Sequence, residues 1–472
     1  MGDRSIGLPR PRLLTPEQLE QIYESAIRVL LEDGLRVRHA GALAAAEKAG
    51  LRVVGDRVFP NRGAISQCVA EARAAASALD SHGGEAETKF TLSTCQYPTH
   101  VHDLETDRVV PFARERLIEA AKLVDSTYDQ GVVGGAPGCP GDVPIRLQPI
   151  LQYRIQAQYC RQGREPIDPR WAETMPYVME MAEALGCPLR SLPVYVVSPL
   201  TIGGESLECA VRFQGRLERL WTSNMSSVGA TAPVRIAHAI ALGAAEVIGS
   251  AIVLNAITGL PVDWAVHTVA FDLRGMAMSF GGPEYLLFRW ACEEVNAFLH
   301  GGELGPPAGV MRTQAKLPGP QAAAEKMAGV VAGALLGSRH FDGAGTLSLD
   351  EVFSLEQLVT DCELRDHAER LVAGIDGECD PVACAAEAAA GLDGGFLGLD
   401  STLDSYQGVY WLPKLFERRS LAGWREAGSP ELRARAREIA RALVASHEYE
   451  LPQDLARELD RIYARAEREL AA

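Results

Sequence analysis

Two polar residues end apolar runs in a way that could do chemistry. His267 closes Val262-Asp-Trp-Ala-Val-His, and Asn224 follows Leu220-Trp-Thr-Ser. An imidazole at a strand end can carry a proton or offer a hydrogen bond near neutral pH, and an amide beside it can orient a polar group. Glu205 follows the loop Ser198-Pro-Leu-Thr-Ile-Gly-Gly and is the third candidate. The same rule, that reacting groups gather at the carboxyl ends of parallel strands, nominates Ser198, Met225, Gln314, Lys316 and Asp342. Each has a plainer reading beside it: His267 as part of a hydrogen-bonded framework, Glu205 as a charge in the first turn of a helix, Lys316 as a surface lysine. Aromatic residues make up only 6% of the chain, yet Tyr97, Phe280 and Tyr406 fall near strand ends and loops. A box of such rings can hold a quaternary ammonium, each ring contributing about 0.5–2 kcal/mol. Trp221 and Trp264 lie inside predicted strands and read as core.

Other chemistries find no support. There is no GxGxxG after a strand, no Walker loop, no HExxH and no GxSxG. Cys292 and His300 lack a convincingly spaced third ligand, so no metal site is expected. The 472 residues carry 46 basic and 62 acidic side chains, a net charge of −16 that argues against nucleic-acid phosphate or an anionic membrane as partner. Ten scattered cysteines without a CxxC pair read as reduced thiols. The N-terminal segment lacks the apolar core of a signal peptide, and the long apolar run Ala237 to Leu260 carries His238, Glu246 and Asn255. That run reads as a buried helix, and the chain as cytoplasmic.

The elements that must position these groups follow from periodicity. Thr15 to Gly34 reads as a helix with a Thr15-x-x-Gln18 capping box and an apolar stripe of Leu19, Ile22, Ala26, Ile27 and Leu30. A helix at Ala40–Ala49, a hairpin of Leu51–Val54 and Arg57–Phe59, and a helix at Ala64–Ala78 complete an N-terminal cap. From Gly131 onward strands at Val132–Gly134, Val194–Val197, Leu220–Ser223, Val262–His267 and His340–Gly345 alternate with long helices. Such alternation predicts an α/β protein with a parallel sheet, closed here as a TIM (β/α)8 barrel. The expected division is 1–125 for the helical cap with small hairpins, 126–400 for the barrel, and 401–472 for a C-terminal helical extension packed on it.

Several motifs together resemble the trimethylamine methyltransferase superfamily, in particular its members without pyrrolysine such as glycine betaine methyltransferases. They are LTPEQLEQIYESAIRVLLEDGLRV from Leu14, VHDLETDRVVPF from Val101, VGATAPV from Val228, ALGAAEVI from Ala241, SFGGPE from Ser279, TQAKLPGPQAAAEK from Thr313 and YWLPKLFERRS from Tyr410. The resemblance runs from Leu14 to Leu470. It implies a TIM barrel and methyl transfer to the cobalt of a separate corrinoid protein, with the corrinoid held by that partner because no DxHxxG signature occurs here. A methyl leaves nitrogen readily only if the nitrogen departs neutral. A quaternary ammonium satisfies this without an acid, whereas a tertiary amine needs activation that the standard residues of this chain do not provide. The resemblance therefore points to a betaine-like quaternary amine, with cobalt in its lowest state as the nucleophile. His267, Asn224 and Glu205 are the expected catalytic residues, and Tyr97, Phe280, Gln314, Lys316, Arg312 and Tyr406 the expected substrate-binding ones. Arg274, Arg312 or Lys316 would hold a substrate carboxylate. The chain departs from the family where Gln314-Ala315-Lys316 replaces Asp-Ser-Lys, and where Asp400-Ser401-Thr402-Leu403 replaces a His-Thr-Leu element. These departures leave open a different methylated substrate, a pterin acceptor, or a barrel that only binds a small cation or a protein. Self-association into a homo-oligomer is expected as well.

Overall fold

The computed structural model describes residues 6–80 and 89–470. The N-terminal helices are α1 (Pro16–Glu32), α2 (Ala40–Lys48) and α3 (Arg62–Asp80). The capping box is present at α1: the Thr15 hydroxyl accepts from the Gln18 amide, and the Gln18 side chain accepts from the Thr15 N–H at 2.8 Å. Such a cap contributes about 1 kcal/mol. The stripe Leu19, Ile22, Ala26, Ile27 and Leu30 is buried and packs on the long helix Ile236–Thr258. The hairpin Arg52–Val54/Arg57–Phe59 pairs as read from the sequence. It is stitched through Leu35–Arg38 to Thr201–Gly203, so the cap shares one sheet with the central strands.

Seven central strands pair in parallel within two groups. They are β1 (Thr91–Thr94), β2 (Val132–Val133), β3 (Ser191–Val197), β4 (Arg219–Ser223), β5 (Val262–Ala265), β6 (Gly309–Val310) and β7 (His340–Ala344). They form two arcs, β6-β7-β1-β2 and β3-β4-β5. Among the described residues no ladder joins β2 to β3 or β5 to β6, so the seams between the arcs are bridged by loops. The sequence reading had no strand at Thr91–Thr94, which pairs on both sides in the first arc and lies within the segment assigned to the cap. Thr-Leu-Ser-Thr offers a single apolar residue, too little periodicity to be recognised.

Helices follow the strands in alternation: α4 (Arg114–Ser126), α5 (Gln148–Tyr159), α6 (Met175–Ala184), α7 (Gly204–Phe213), α8 (Ile236–Thr258), α9 (Pro283–His300), α10 (Pro320–Leu335) and α11 (Leu355–Val372). Helix α8 is long and apolar enough to cross a membrane, yet most of it is buried inside the protein, and α1, α2 and α3 all pack on it. The strand residues Leu192, Val194, Val196, Leu220 and Thr222 are buried, while Tyr195 and Trp221 on the opposite face line the interior.

The C-terminal part holds α12 (Pro381–Gly391), α13 (Asp400–Val409), α14 (Leu421–Glu426), α15 (Leu432–Ala445) and α16 (Gln453–Leu470). Helix α16 buries Leu459, Ile462, Tyr463 and Ala466 and packs on α5 and α6. Helix α15 packs on α4 and α11 and is clasped by charge. Arg437 reaches Asp107 at 2.6 Å and Glu356 at 2.7 Å, and Arg433 binds the same two carboxylates. His102 completes the cluster with Nε2 2.8 Å from Asp107 and Nδ1 3.0 Å from Ser354. Glu363 of α11 accepts the backbone N–H groups of Lys414, Leu415 and Phe416, which fixes the Tyr410–Ser420 motif.

Candidate active site

A cavity of about 410 Å³ lies beside β3, whose Ser191, Leu192, Pro193 and Tyr195 line it. Its walls come from both arcs: Thr94 at the end of β1 with residues 95–97 after it, residues 166–169, Tyr195 of β3, Trp221 of β4, Arg312 just beyond β6, and Asp342 of β7. One wall is aromatic. Tyr195 and Trp221 meet edge-to-face with centroids 5.5 Å apart, and the Tyr97 hydroxyl is 3.2 Å from that of Tyr195. Trp221, read from the sequence as core, is instead 37% exposed and lines the cavity. Asp168 stands beside these rings. Burial raises its pKa, against the opposing pull of the Arg170 N–H and guanidinium. Arg170 is held in the left-handed region (φ 64°) with its N–H on Asp168, so Asp168 itself closes the turn.

The other wall is ionic. Arg312 grips Asp342 through Nη2 at 2.8 Å and Nε at 3.1 Å, both on Oδ2. Burial by itself would lower the Arg312 pKa, but the Asp342 carboxylate more than offsets this and the guanidinium stays charged. Asp342 is likewise pushed up by burial and brought below its ordinary value by Arg312 and Arg289. The Arg312 guanidinium lies 5.5 Å over the Phe280 ring, and Phe280 stacks on Tyr285 at 4.8 Å. His267 joins this group from two residues beyond the end of β5. Burial first, and then the charge of Arg289, pushes its imidazole down to about 4, with Asp342 opposing. His267 is therefore neutral at physiological pH. His267 Nε2 and Asp342 Oδ1 are buried atoms without a hydrogen-bond partner. Unsatisfied buried groups are rare in folded proteins. Of these two, Asp342 lines the cavity and has capacity left for a bound molecule, whereas His267 stands outside the lining residues.

Asn224 plays a different part. It is buried, its Oδ1 accepts the His267 N–H at 2.8 Å, and its Nδ2 donates to Ser226 at 3.0 Å. Both ends of the amide are taken, so Asn224 sets the position of His267 through the backbone. Gly243 of α8 makes room for it: a Cβ there would stand 2.7 Å from Asn224 Nδ2. Glu246, one turn further along α8, accepts from the Leu200 N–H and the Ser198 hydroxyl, both at 2.9 Å. Burial raises its pKa to about 7, against the effect of those bonds.

The remaining sequence candidates fall elsewhere. Gln314 joins loops, its Nε2 donating to Met278 O at 2.8 Å and its backbone N–H to Glu325 at the same distance. Lys316 is exposed and donates to Ser348 at 2.8 Å. Glu205 is exposed in the first turn of α7 and accepts the Ala172 N–H at 3.2 Å. Tyr406 sits on α13, exposed and stacked on Tyr410 at 5.4 Å, and is not brought to the cavity. Arg274 is on the exposed hairpin Phe271–Met278, 94% of its side chain in solvent. Sequence reasoning did not find Tyr195, Asp168, Arg170 or Arg289. Arg289 lies one turn after Tyr285 on the apolar-looking helix α9, and that spacing was the available signal.

A family model described as trimethylamine methyltransferase (MTTB) matches residues 5–471. The trimethylamine methyltransferase MttB2 of Methanosarcina mazei is 29% identical over 61% of this chain and 57% of its own length. The chain thus spans little more than half the length of the trimethylamine relatives it matches. The glycine betaine methyltransferase of Desulfitobacterium hafniense is 23% identical over 91% of this chain and 92% of its own. The proline betaine:corrinoid methyltransferase of Eubacterium limosum is 24% identical over 89% and 88%.

Proposed function

Since the chain belongs to the trimethylamine methyltransferase family, we propose that it moves a methyl group from a betaine-like quaternary amine to the cobalt of a separate corrinoid protein. The observation that carries this reading is the two-ended cavity, with rings and a carboxylate on one side and a buried arginine on the other. The onium group would lie against Tyr97, Tyr195 and Trp221 with Asp168 beside it, where ring faces and a nearby anion favour a cation. A substrate carboxylate would take the face of Arg312 not used by Asp342. Among the three cations considered for that role, Arg312 alone lines the cavity. Asn224 would hold His267 in place, and His267 would serve as a neutral hydrogen-bonding group. A neutral imidazole suits this chemistry, because a quaternary nitrogen departs as a neutral amine and needs no proton. The work of this chain is then to strip water from the cation, aim one methyl outward and hold the far end still.

The corrinoid of the partner supplies the nucleophilic metal. This chain's part would be a docking rim. Met225, two residues beyond β4, and Leu273 and Met276, on the hairpin Phe271–Met278 that follows β5, are exposed apolar side chains that such a rim would use. The two arcs are read as one (β/α)8 barrel whose third strand position is taken by residues 166–168. On this reading 1–125 is a cap that contributes β1 to the wall, 126–400 the rest of the barrel, and 401–472 the extension. Cytoplasmic action and a homo-oligomer belong to the same proposal. The latter is supported by Val382 of α12, Leu392 just after it and Leu403 of α13, which are 79%, 80% and 68% exposed. Mixing the protein with glycine betaine or proline betaine and reduced free cobalamin, and following the cobalamin absorbance, tests the reaction. Methylcobalamin formed from a betaine and not from trimethylamine is the expected result. No methyl transfer from any of the three would overturn the proposal.

A further inference from the structure

Close to Asp342, outside the residues that line the cavity, lies a charge pair that the proposed methyl transfer does not use. Lys326 of α10 and Asp361 of α11 have side chains with no exposed surface, and Nζ is 2.6 Å from Oδ2. Their other bonds converge on one short stretch. Lys326 Nζ donates to Gly343 O at 3.2 Å, and Asp361 Oδ2 accepts the Gly345 N–H at 2.7 Å. Gln357 donates to Asp361 Oδ1 at 2.8 Å, which fixes the carboxylate.

That stretch, Asp342-Gly343-Ala344-Gly345, is where the register of β7 against β1 shifts between Asp342 and Ala344. Gly343 and Gly345 both have left-handed φ values, 88° and 73°. A Cβ on Gly343 would stand 2.9 Å from Arg312 Cγ. The bulge therefore does two things. It aims Asp342 into the cavity, and it gives the stem of Arg312 its seat.

A fully buried ion pair is seldom worth more to stability than apolar residues of the same volume. Its advantage is geometric, because it offers a donor and an acceptor at fixed points. We propose that Lys326 and Asp361 are positioning residues for the candidate site. They tether Gly343 and Gly345 so that Asp342 and Arg312 face the cavity in register. The structural arm of the test below stands by itself, and only the binding arm rests on the proposed function.

The double variant Lys326→Met/Asp361→Leu separates positioning from stability. The single variant Lys326→Met leaves an unpaired buried carboxylate and is expected to lose much of its thermal stability. The double variant strands the Gly345 N–H but leaves no unpaired buried charge, so it should melt above Lys326→Met, and a crystal structure should show the Arg312–Asp342 contact broken. Glycine betaine affinity by calorimetry should fall at least tenfold. Gly343→Ala, with the ion pair intact, should displace Arg312 and reproduce that loss. A folded double variant with the Arg312–Asp342 contact intact overturns the proposal whatever its affinity. If wild type binds no betaine, the methyl-transfer reading falls, and the crystal structure still decides this one.

Discussion

Replacing Trp221 by alanine removes one ring from the proposed cation wall, and the structure sets the size of the effect. A ring face contributes about 0.5–2 kcal/mol to holding a cation, with the upper end reserved for fully dry sites. Trp221 is 37% and Tyr97 42% exposed, so water reaches the wall and the upper end does not apply. A loss of about 1 kcal/mol, close to fivefold in Kd, is expected for glycine betaine by calorimetry. The control is 3,3-dimethylbutanoate, which has the same shape and carboxylate with carbon in place of nitrogen. It should bind wild type more weakly than glycine betaine and lose little in Trp221→Ala. Trp221→Phe should keep most of the affinity for the cation. Trp221 is half outside the packed core and its recorded ring partner is Tyr195, so the melting temperature should move by only a few degrees. Equal losses for the betaine and its neutral analogue would show that the ring acts by packing alone. No loss for either would place the onium group elsewhere.

Asn224→Ala strands the His267 N–H in a buried site, and should cost about 1–3 kcal/mol of stability, seen as a lowered denaturation midpoint together with lower activity. An unchanged midpoint would mean that the amide is not a framework group. His267, held down to about 4, should give no inflection near pH 6.5 in the methyl-transfer rate. An inflection there that disappears in His267→Gln would contradict the neutral imidazole. Glu246 binds its proton more tightly when folded than when unfolded, since burial raises its pKa from 4.5 to about 7. Its contribution to stability is thus full below about pH 4.5 and is lost as pH rises toward 7. Glu246→Gln should therefore flatten the fall of melting temperature across that window, and an unaltered slope would exclude Glu246 as its source.

Sequence legibility followed the local character of each signal. The α1 cap needs only Thr15, Gln18 and an apolar stripe, all within one helix, and it forms as read. His267 and Asn224 stand out in the sequence because a polar residue ending an apolar run is itself a local pattern, and the structure joins them by a hydrogen bond. Trp221 was misread for the opposite reason: in a strand with helices on one side and a wet cavity on the other, a large ring fits either face. Asp168 and Arg170 lie in a connecting segment without periodicity, and their role depends on Tyr97, about seventy residues earlier. The strand Thr91–Thr94 is specified by its neighbours β7 and β2 more than by its own residues.

The arginine clasp on α15 has a consequence for how the chain matures. Asp107 is made early, and the two guanidiniums that neutralise it, at Arg433 and Arg437, are made more than three hundred residues later. Until the ribosome has released that last stretch, Asp107 of the 100–111 hairpin lacks both guanidiniums and α11 displays a bare carboxylate at Glu356. Nascent chains that stop short of α15 should therefore stay protease-sensitive near the 100–111 hairpin, although all the residues that line the cavity have by then been synthesised.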